Sequence, residues 1–305
     1  MQYKYYIADV FTTKLFDGAQ IAVFPQAEGL EQQQMQLIAR EMNLSETAFV
    51  FSPVNGSDAW RVRVFSPHEE VNFAGHPIIA TAYTLAETGS VKLNGKYTDI
   101  VLEQNIGPID VTITHDEGVT KLVQFTMKSQ PAIDRFVPQE EQIAEILSLQ
   151  EKDIEKIKYH TLLVSCDQPY LIVPLRSYQL VRDAKFNFNA WSQSSVPSSL
   201  AREILLFASQ SDISTSNFHA RLVGPDIGLN EDPPIGSSMP AFTGYLCAHE
   251  HIKQGTHSFV IDRGTSQTRK SILTVEMDKN ENKENVIRVG GPAVMVSEGT
   301  IKLPD

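Results

Sequence analysis

Residues 75–89 carry the feature that most restricts the fold, a helix-length segment that is apolar on almost every side. The segment reads GHPIIATAYTLAETG, with Pro77 suited to a first helical turn and Gly89 placed just past the end. A helix that is apolar all round has no face to turn towards water, so it must be buried on all sides. The segment therefore predicts a central helix enclosed by other elements.

The rest of the N-terminal part alternates short strands with one amphipathic helix. We predict strands at residues 3–11, 21–25, 47–52 and 59–66, followed by strands in GPIDVTIT and KLVQFTM. Residues 31–42 predict a helix because Met35, Ile38 and Met42 recur on one face. Asn94-Gly95 lies between two runs and predicts a hairpin turn.

The second part of the chain repeats this arrangement without clear sequence identity. A helix is predicted at residues 139–150, two strands in YHTLLVSCDQPYLIVPL, and a helix leading into a strand in SSLAREILLFASQ. A strand, a Gly/Pro-rich loop and a second apolar helix follow, the helix beginning near Gly236. Strands in KSILTVEM and VIRVGGPAVMVSEGTIKL end the chain. The pattern indicates a structural duplication.

These elements predict an α+β fold with two pseudo-symmetric lobes, each a barrel-like mixed sheet around a central apolar helix. We assign residues 1–120 to the N-terminal lobe and residues 121–285 to the C-terminal lobe. The strands in residues 286–305 are expected to return to the N-terminal lobe. Ligands commonly bind between such halves, so the cleft between the lobes is the expected site.

Composition narrows the classes of partner. The 305 residues carry a net charge of −11, which argues against nucleic acid or an anionic membrane as the main partner. No apolar run has the length of a membrane span, and the N-terminus lacks a signal-peptide pattern, so we expect a cytoplasmic protein. Cys166 and Cys247 are expected to be free thiols, since the chain can bury a core without a disulfide.

Both apolar helices begin with small or polar residues, Gly75-His76 in the first and Gly236-Ser237 in the second. A helix N-terminus presents unpaired N–H groups and a partial positive charge, which suits the binding of a carboxylate. Three titratable groups lie at or near these helix starts in the sequence: His76, Glu231 and Asp232. Glu46 is distant in sequence and is expected to lie near them in the fold. An acid in mostly apolar surroundings has a raised pKa and suits proton transfer to and from carbon.

Each of these residues also has a purely structural interpretation. Glycine and serine are common helix caps, and His76 fits a cap as well. Glu46 fits a solvated turn residue after Ser45, and Asp232 fits an Asp-Pro turn. The local sequence leaves these alternatives open.

Other motifs give no support to metal or nucleotide chemistry. His68, Glu69 and Glu70 lack the spacing that would direct two metal ligands together, and His249 and His251 fit a helix C-terminus. No dinucleotide, phosphate-loop or nucleophile-elbow motif is present in the sequence. Any chemistry is therefore expected to need no cofactor.

The chain resembles the phenazine-biosynthesis PhzF-like isomerase family, which has the diaminopimelate-epimerase fold. The resemblance rests on four stretches in the family's order: REMNLSETAFV (40–50), FAGHPIIATA (73–82), RLVGPDIGLNEDPPIGSS (221–238) and VGGPAVMVSEGTIKL (289–303). It implies a homodimer that binds a small anionic metabolite between its lobes and uses no metal or cofactor.

The resemblance also implies roles for individual residues. The family's acid/base glutamate corresponds to Glu46, its pocket histidine to His76 and its pocket aspartate to Asp232. Its substrate-binding serine corresponds to Ser237. Ser45, Gly75 and Gly236 are the other expected substrate-binding positions. By analogy with phenazine-pathway members, Glu46 would move a proton along the ring of trans-2,3-dihydro-3-hydroxyanthranilate.

Several positions depart from the family's usual sequence. Pro234 and Ile235 replace Ala-Thr in the loop before the second helix, and Ala19-Gln20 replace Asn-Pro near the N-terminus. Pro292 replaces a common arginine. A catalytically silent ligand-binding or interaction protein is therefore a second hypothesis, and an epimerase using Glu46 and Asp232 is a third. His76 and Ser237 occupy the thiol positions of cysteine-pair epimerases, which argues against a two-thiol racemase.

Overall fold

The structure is a computed structural model that describes residues 1–53, 58–73, 75–166, 168–199, 201–228, 232–265, 268–280 and 285–303. The strands are β1 (Gln2–Val10), β2 (Ala19–Phe24), β3 (Glu46–Phe51), β4 (Ala59–Phe65), β5 (Glu70–Val71), β6 (Tyr97–Gln104), β7 (Gly107–Asp116), β8 (Val119–Ser129), β9 (Ala132–Asp134), β10 (Leu162–Ser165), β11 (Pro169–Pro174), β12 (Glu203–Ala208), β13 (Phe218–Val223), β14 (Gly255–Arg263), β15 (Ser271–Lys279), β16 (Asn285–Gly291) and β17 (Ala293–Lys302). The helices are α1 (Gln32–Met42), α2 (Gly75–Glu87), α3 (Glu140–Leu147), α4 (Tyr178–Asp183), α5 (Phe188–Gln193) and α6 (Met239–Cys247).

The chain divides into two compact units. Unit 1 comprises Met1–Met127, Arg269–Ser271 and Arg288–Asp305, and unit 2 comprises Lys128–Thr268 and Ile272–Ile287. No helix in the described part of the chain has the length and apolar composition needed to cross a membrane. Cys166 and Cys247 form no disulfide among the described residues, as predicted.

Unit 1 is a mixed sheet that packs around α2. Strand β1 pairs antiparallel with β17 and β2, β2 runs parallel to β3, and β3 pairs antiparallel with β4. Strand β4 runs parallel to β6, which continues antiparallel into β7 and β8. Helix α2 contacts β1, β2, β3, β7 and β17, and its residues from Gly75 to Ala86 are all buried. The prediction of an enclosed apolar helix is confirmed.

Helix α1 covers the opposite face of this sheet. Its buried residues Met35, Ile38 and Ala39 pack against Phe24 of β2 and Phe49 of β3. The two phenylalanine rings stack with centroids 5.0 Å apart. Because side chains alternate along a strand, Thr47, Phe49 and Phe51 face α1, while Glu46 and the alternate residues face the side of α2.

Unit 2 repeats the pairing pattern of unit 1. Strand β10 pairs antiparallel with β11, β11 runs parallel to β12, β12 pairs antiparallel with β13, and β13 runs parallel to β14. This alternation of antiparallel and parallel pairs is that of β1, β2, β3, β4 and β6. Helix α6 follows β13 as α2 follows β4 and β5, and its residues from Met239 to Leu246 are buried. The duplication indicated by the sequence is present in the topology.

Two local predictions are wrong. Residues 88–93, directly before Asn94-Gly95, form no strand, and β6 pairs instead with β7 across Asn105-Ile106. The segment before β12 is a short 3-10 turn at Val196–Ser199, and the helices that precede β12 are α4 and α5. Pro197 interrupts a longer helix there, and the apolar run Ile204–Ala208 is a strand buried on both faces.

Gly18 lies at a close approach between β1 and β2 that a side chain would disrupt. Its φ is +71°, and a Cβ atom there would lie 2.3 Å from the Val10 carbonyl oxygen. Gly118 has a similar φ of +79° in the turn between β7 and β8, but a Cβ atom there would meet nothing within 4 Å. Comparing substitutions at Gly18 and Gly118 therefore separates the free-energy cost of the left-handed backbone conformation from the free-energy cost of the steric clash.

We expect Gly18→Ala to lower the free energy of unfolding by about 3 kcal/mol and Gly118→Ala by about 1 kcal/mol, because only the first adds a clash to the left-handed conformation. Urea denaturation of both variants measures the difference. Equal losses would show that the contact at Gly18 carries no cost of its own.

Candidate active site

Glu46 is the first residue of β3 and follows α1 after a three-residue connection. Helix α1 ends because Asn43 takes a left-handed conformation, with φ 49° and ψ 36°. Strand β3 then aligns Glu46 opposite Ile21 of the parallel strand β2. The carboxylate is therefore fixed at the end of a buried strand, and only 17% of its side chain is exposed.

His76 is the second residue of α2 and is almost fully buried, with 2% of its side chain exposed. Its Nε2 atom forms a short hydrogen bond with Oε2 of Glu46. The first turn of α2 has backbone N–H groups without helical acceptors, while Pro77 at its third position needs no acceptor. The helix start therefore directs an imidazole and a partial positive charge at the Glu46 carboxylate.

This contact controls the protonation of Glu46. Burial raises the pKa of the carboxyl, but the charge of His76 and hydrogen bonds from His76 and Ser45 outweigh burial. The net effect lowers the pKa of Glu46 below its ordinary value of 4.5. The expectation of a raised pKa is wrong, because it considered burial without the cation that the fold places beside the acid.

The imidazole has one nitrogen engaged and one available. Nδ1 of His76 is buried and has no hydrogen-bond partner among the described residues. Glu46 is bound through Nε2, so the pair leaves Nδ1 uncommitted. Ser45, Glu46, Gly75 and His76 are thus brought together in unit 1.

Asp232 lies in unit 2 in an ion pair that the sequence did not indicate. Its Oδ2 atom accepts a hydrogen bond from Nη1 of Arg182 at 2.5 Å and another from Oγ1 of Thr268 at 3.3 Å. Its backbone carbonyl accepts from Arg263. The side chain is only 2% exposed, and its Oδ1 atom has no partner among the described residues. Asp232 is therefore more than an Asp-Pro turn residue, because an arginine and a threonine orient its carboxylate.

Gly236 and Ser237 form a 3-10 turn, Gly236–Ser238, that leads directly into α6. Oγ of Ser238 donates a hydrogen bond to the Ile235 carbonyl at 2.8 Å and secures this turn. Ile235, one of the departures from the family's sequence, is only 1% exposed and contributes to the apolar core. Ser237 is half-buried. Glu231 lies outside the described residues.

The site residues missed by sequence reasoning are those that hold Asp232. Arg182 is 50 residues away in sequence and Thr268 is 36 residues away. Neither residue belongs to a motif, and no spacing in the sequence connects them with Asp232. Their role follows only from the fold of unit 2.

Comparison with known proteins agrees with this architecture. A sequence profile of the family described as phenazine biosynthesis-like protein matches residues 8–299. An uncharacterized isomerase of Mesorhizobium japonicum is 30% identical over 300 residues, which cover 98% of each chain. A trans-2,3-dihydro-3-hydroxyanthranilate isomerase of Pseudomonas fluorescens is 27% identical and covers 99% of this chain and 100% of its own.

The solved structures give the same result for the fold. A Bacillus anthracis phenazine biosynthesis protein of the PhzF family matches with a TM-score of 0.86 at 22% identity, covering 99% of this chain and 100% of that one. The predicted epimerase-like α+β fold is confirmed by this match. Because the profile covers nearly the whole chain, the protein belongs to the phenazine biosynthesis-like protein family.

Proposed function

We propose that the protein is a cofactor-independent isomerase in which Glu46 transfers a proton on a small carboxylated metabolite. The observation that carries the proposal is the contact between Glu46 and the buried His76 at the start of α2. The relatives named isomerases support the reaction class. The substrate is expected to be cyclic and similar to dihydro-hydroxyanthranilate, by analogy with the Pseudomonas relative.

The lowered pKa of Glu46 defines the first step. At neutral pH the carboxylate is ionised, so it begins the reaction as a base. It removes a proton from a ring carbon, and the electron pair of that C–H bond moves into the conjugated system. The protonated Glu46 then returns the proton to a different ring carbon. The product is an isomer, and no electrons are gained or lost overall.

His76 has two tasks in this scheme. Its Nε2 atom keeps Glu46 ionised and oriented before the reaction. Its Nδ1 atom is available to hydrogen bond to a polar group of the substrate. The backbone N–H groups at Gly75-His76 or at Gly236-Ser237 are proposed to bind the substrate carboxylate, since helix starts favour anions.

Asp232 is proposed to bind the substrate rather than to act as a second base. Arg182 and Thr268 fix its Oδ2 atom, which leaves Oδ1 to accept a hydrogen bond from an amino or hydroxyl group. An epimerase mechanism would instead need Asp232 to exchange protons with carbon. Arg182 and Thr268 already hold Oδ2 by hydrogen bonds, which favours an orienting role over proton exchange.

The first test replaces the proposed base without changing its shape. We expect Glu46→Gln to reduce turnover of trans-2,3-dihydro-3-hydroxyanthranilate by about 100-fold to 10,000-fold while substrate binding survives, because an amide cannot accept the proton. Glu70→Gln is the matched control: Glu70 is also 17% exposed and paired with a cation, Arg63, and its other described side-chain hydrogen bond comes from Asn105. Undiminished turnover in Glu46→Gln would refute the assignment.

The second test concerns the pH dependence. Replacing His76 with leucine removes the two largest influences that lower the pKa of Glu46, the charge and the hydrogen bond of the imidazole, and leaves the burial that raises it. Activity requires ionised Glu46, so the acid limb of kcat/KM against pH should move to higher pH in His76→Leu. Infrared titration of the Glu46 carboxyl, identified by its loss in Glu46→Gln, measures the same shift without activity. An unchanged or lowered pKa would contradict the role given to His76.

A further inference from the structure

A pocket at the C-terminal end of α6 is lined by several basic residues, although the chain as a whole is strongly acidic. The pocket measures about 520 Å³, and it lies entirely within unit 2. Its lining residues include Arg135, Lys158, Lys253, His160, His249 and His251. Glu250 is the one acid among its described lining residues, against three permanent cations and three histidines.

The pocket is separate from the residues of the candidate active site. Gly236 and Ser237 precede the first residue of α6, whereas Ala248–Lys253 follow its last residue, Cys247. Nine helical residues at 1.5 Å per residue place about 13 Å between these two ends. A ligand in the pocket would therefore not occupy the proposed substrate site.

The cations are not explained by the end of the helix. The C-terminal carbonyls of a helix attract positive charge, but here other groups already satisfy them. The Ala248 N–H donates to the Gly244 and Tyr245 carbonyls at 3.2 and 3.1 Å, and the His249 N–H donates to the Leu246 carbonyl at 3.1 Å. Arg135 and Lys253 form no side-chain hydrogen bond or ion pair among the described residues.

Burial and positive charge around the pocket lower the pKa of two of its histidines, His249 and His251. Burial and the neighbouring His251, His160 and Arg135 lower the pKa of His249. Burial and the ammonium groups of Lys158, Lys279 and Lys253 lower the pKa of His251. These charges repel one another across a small space, so a bound anion would relieve the repulsion.

We propose that this pocket is a binding site for a phosphate group of a small molecule, formed mainly by Arg135, Lys158, His251 and Lys253. A dianion that accepts hydrogen bonds on several sides suits cations arranged around a concave space. The volume lies in the range of small-molecule sites, and Ile157, Leu162 and Ala248 offer apolar surface for a carbon skeleton.

The test measures binding of inorganic phosphate by isothermal titration calorimetry, with sulfate as a second dianion. We expect saturable binding by the unmodified protein that weakens as potassium chloride is added. Reversing the charge in the Arg135→Glu/Lys253→Glu double variant should weaken binding by about tenfold or more. Lys152→Glu is the control for each reversal, since Lys152 is exposed in unit 2 but does not line the pocket. Because these side chains are exposed, the fold should survive the changes.

Three results would overturn the proposal. The first is an absence of saturable phosphate binding, and the second is equal weakening in the Lys152→Glu control. The third is binding of a single-stranded oligonucleotide at this pocket without binding of phosphate, which would indicate a polymeric ligand. Glu46→Gln should bind phosphate as the unmodified protein does, so this test is independent of the proposed isomerase activity.

Discussion

Helix α2 buries its residues from Gly75 to Ala86, and this burial determines the layout of unit 1. A helix without a solvent-facing side needs strands around it, and α2 contacts β1, β2, β3, β7 and β17. Its polar first turn then lies at the end of the sheet, where β3 begins with Glu46. The pairing of His76 with Glu46 thus follows from the requirement to enclose an apolar helix. The need to enclose α2 therefore determines both the packing of unit 1 and the position of its candidate catalytic pair.

The elements with strong periodic signals could be predicted from the sequence. Helix α1 has a clear apolar face, and α2 is apolar all round, so both were accessible from residue spacing. Helices α4 and α5 have six residues each, which is too short for a helical period to stand out. Asn94-Gly95 has the composition of a hairpin turn, but pairing of β6 with β7 decides where the hairpin forms.

The candidate site was predictable only in part, because sequence identifies groups but not their neighbours. Glu46 and His76 stand out at a strand start and a helix start, whereas the cation beside the acid reverses the expected direction of its pKa shift. The arginine and threonine that orient Asp232 come from distant parts of unit 2. The altered residue Ile235 contributes to the core, which gives the departure from the family's loop a packing role.

In the proposed reaction Glu46 moves a proton between two carbon atoms of a bound metabolite. The most direct measurement incubates the protein in D₂O with a cell metabolite extract and follows metabolites by liquid chromatography and mass spectrometry. We expect the unmodified protein to convert one carboxylated metabolite into an isomer with a new retention time, with or without uptake of solvent deuterium, and Glu46→Gln to do neither. A metabolite that binds but neither isomerises nor acquires deuterium would refute the proposed proton transfer and would favour a catalytically silent binding protein.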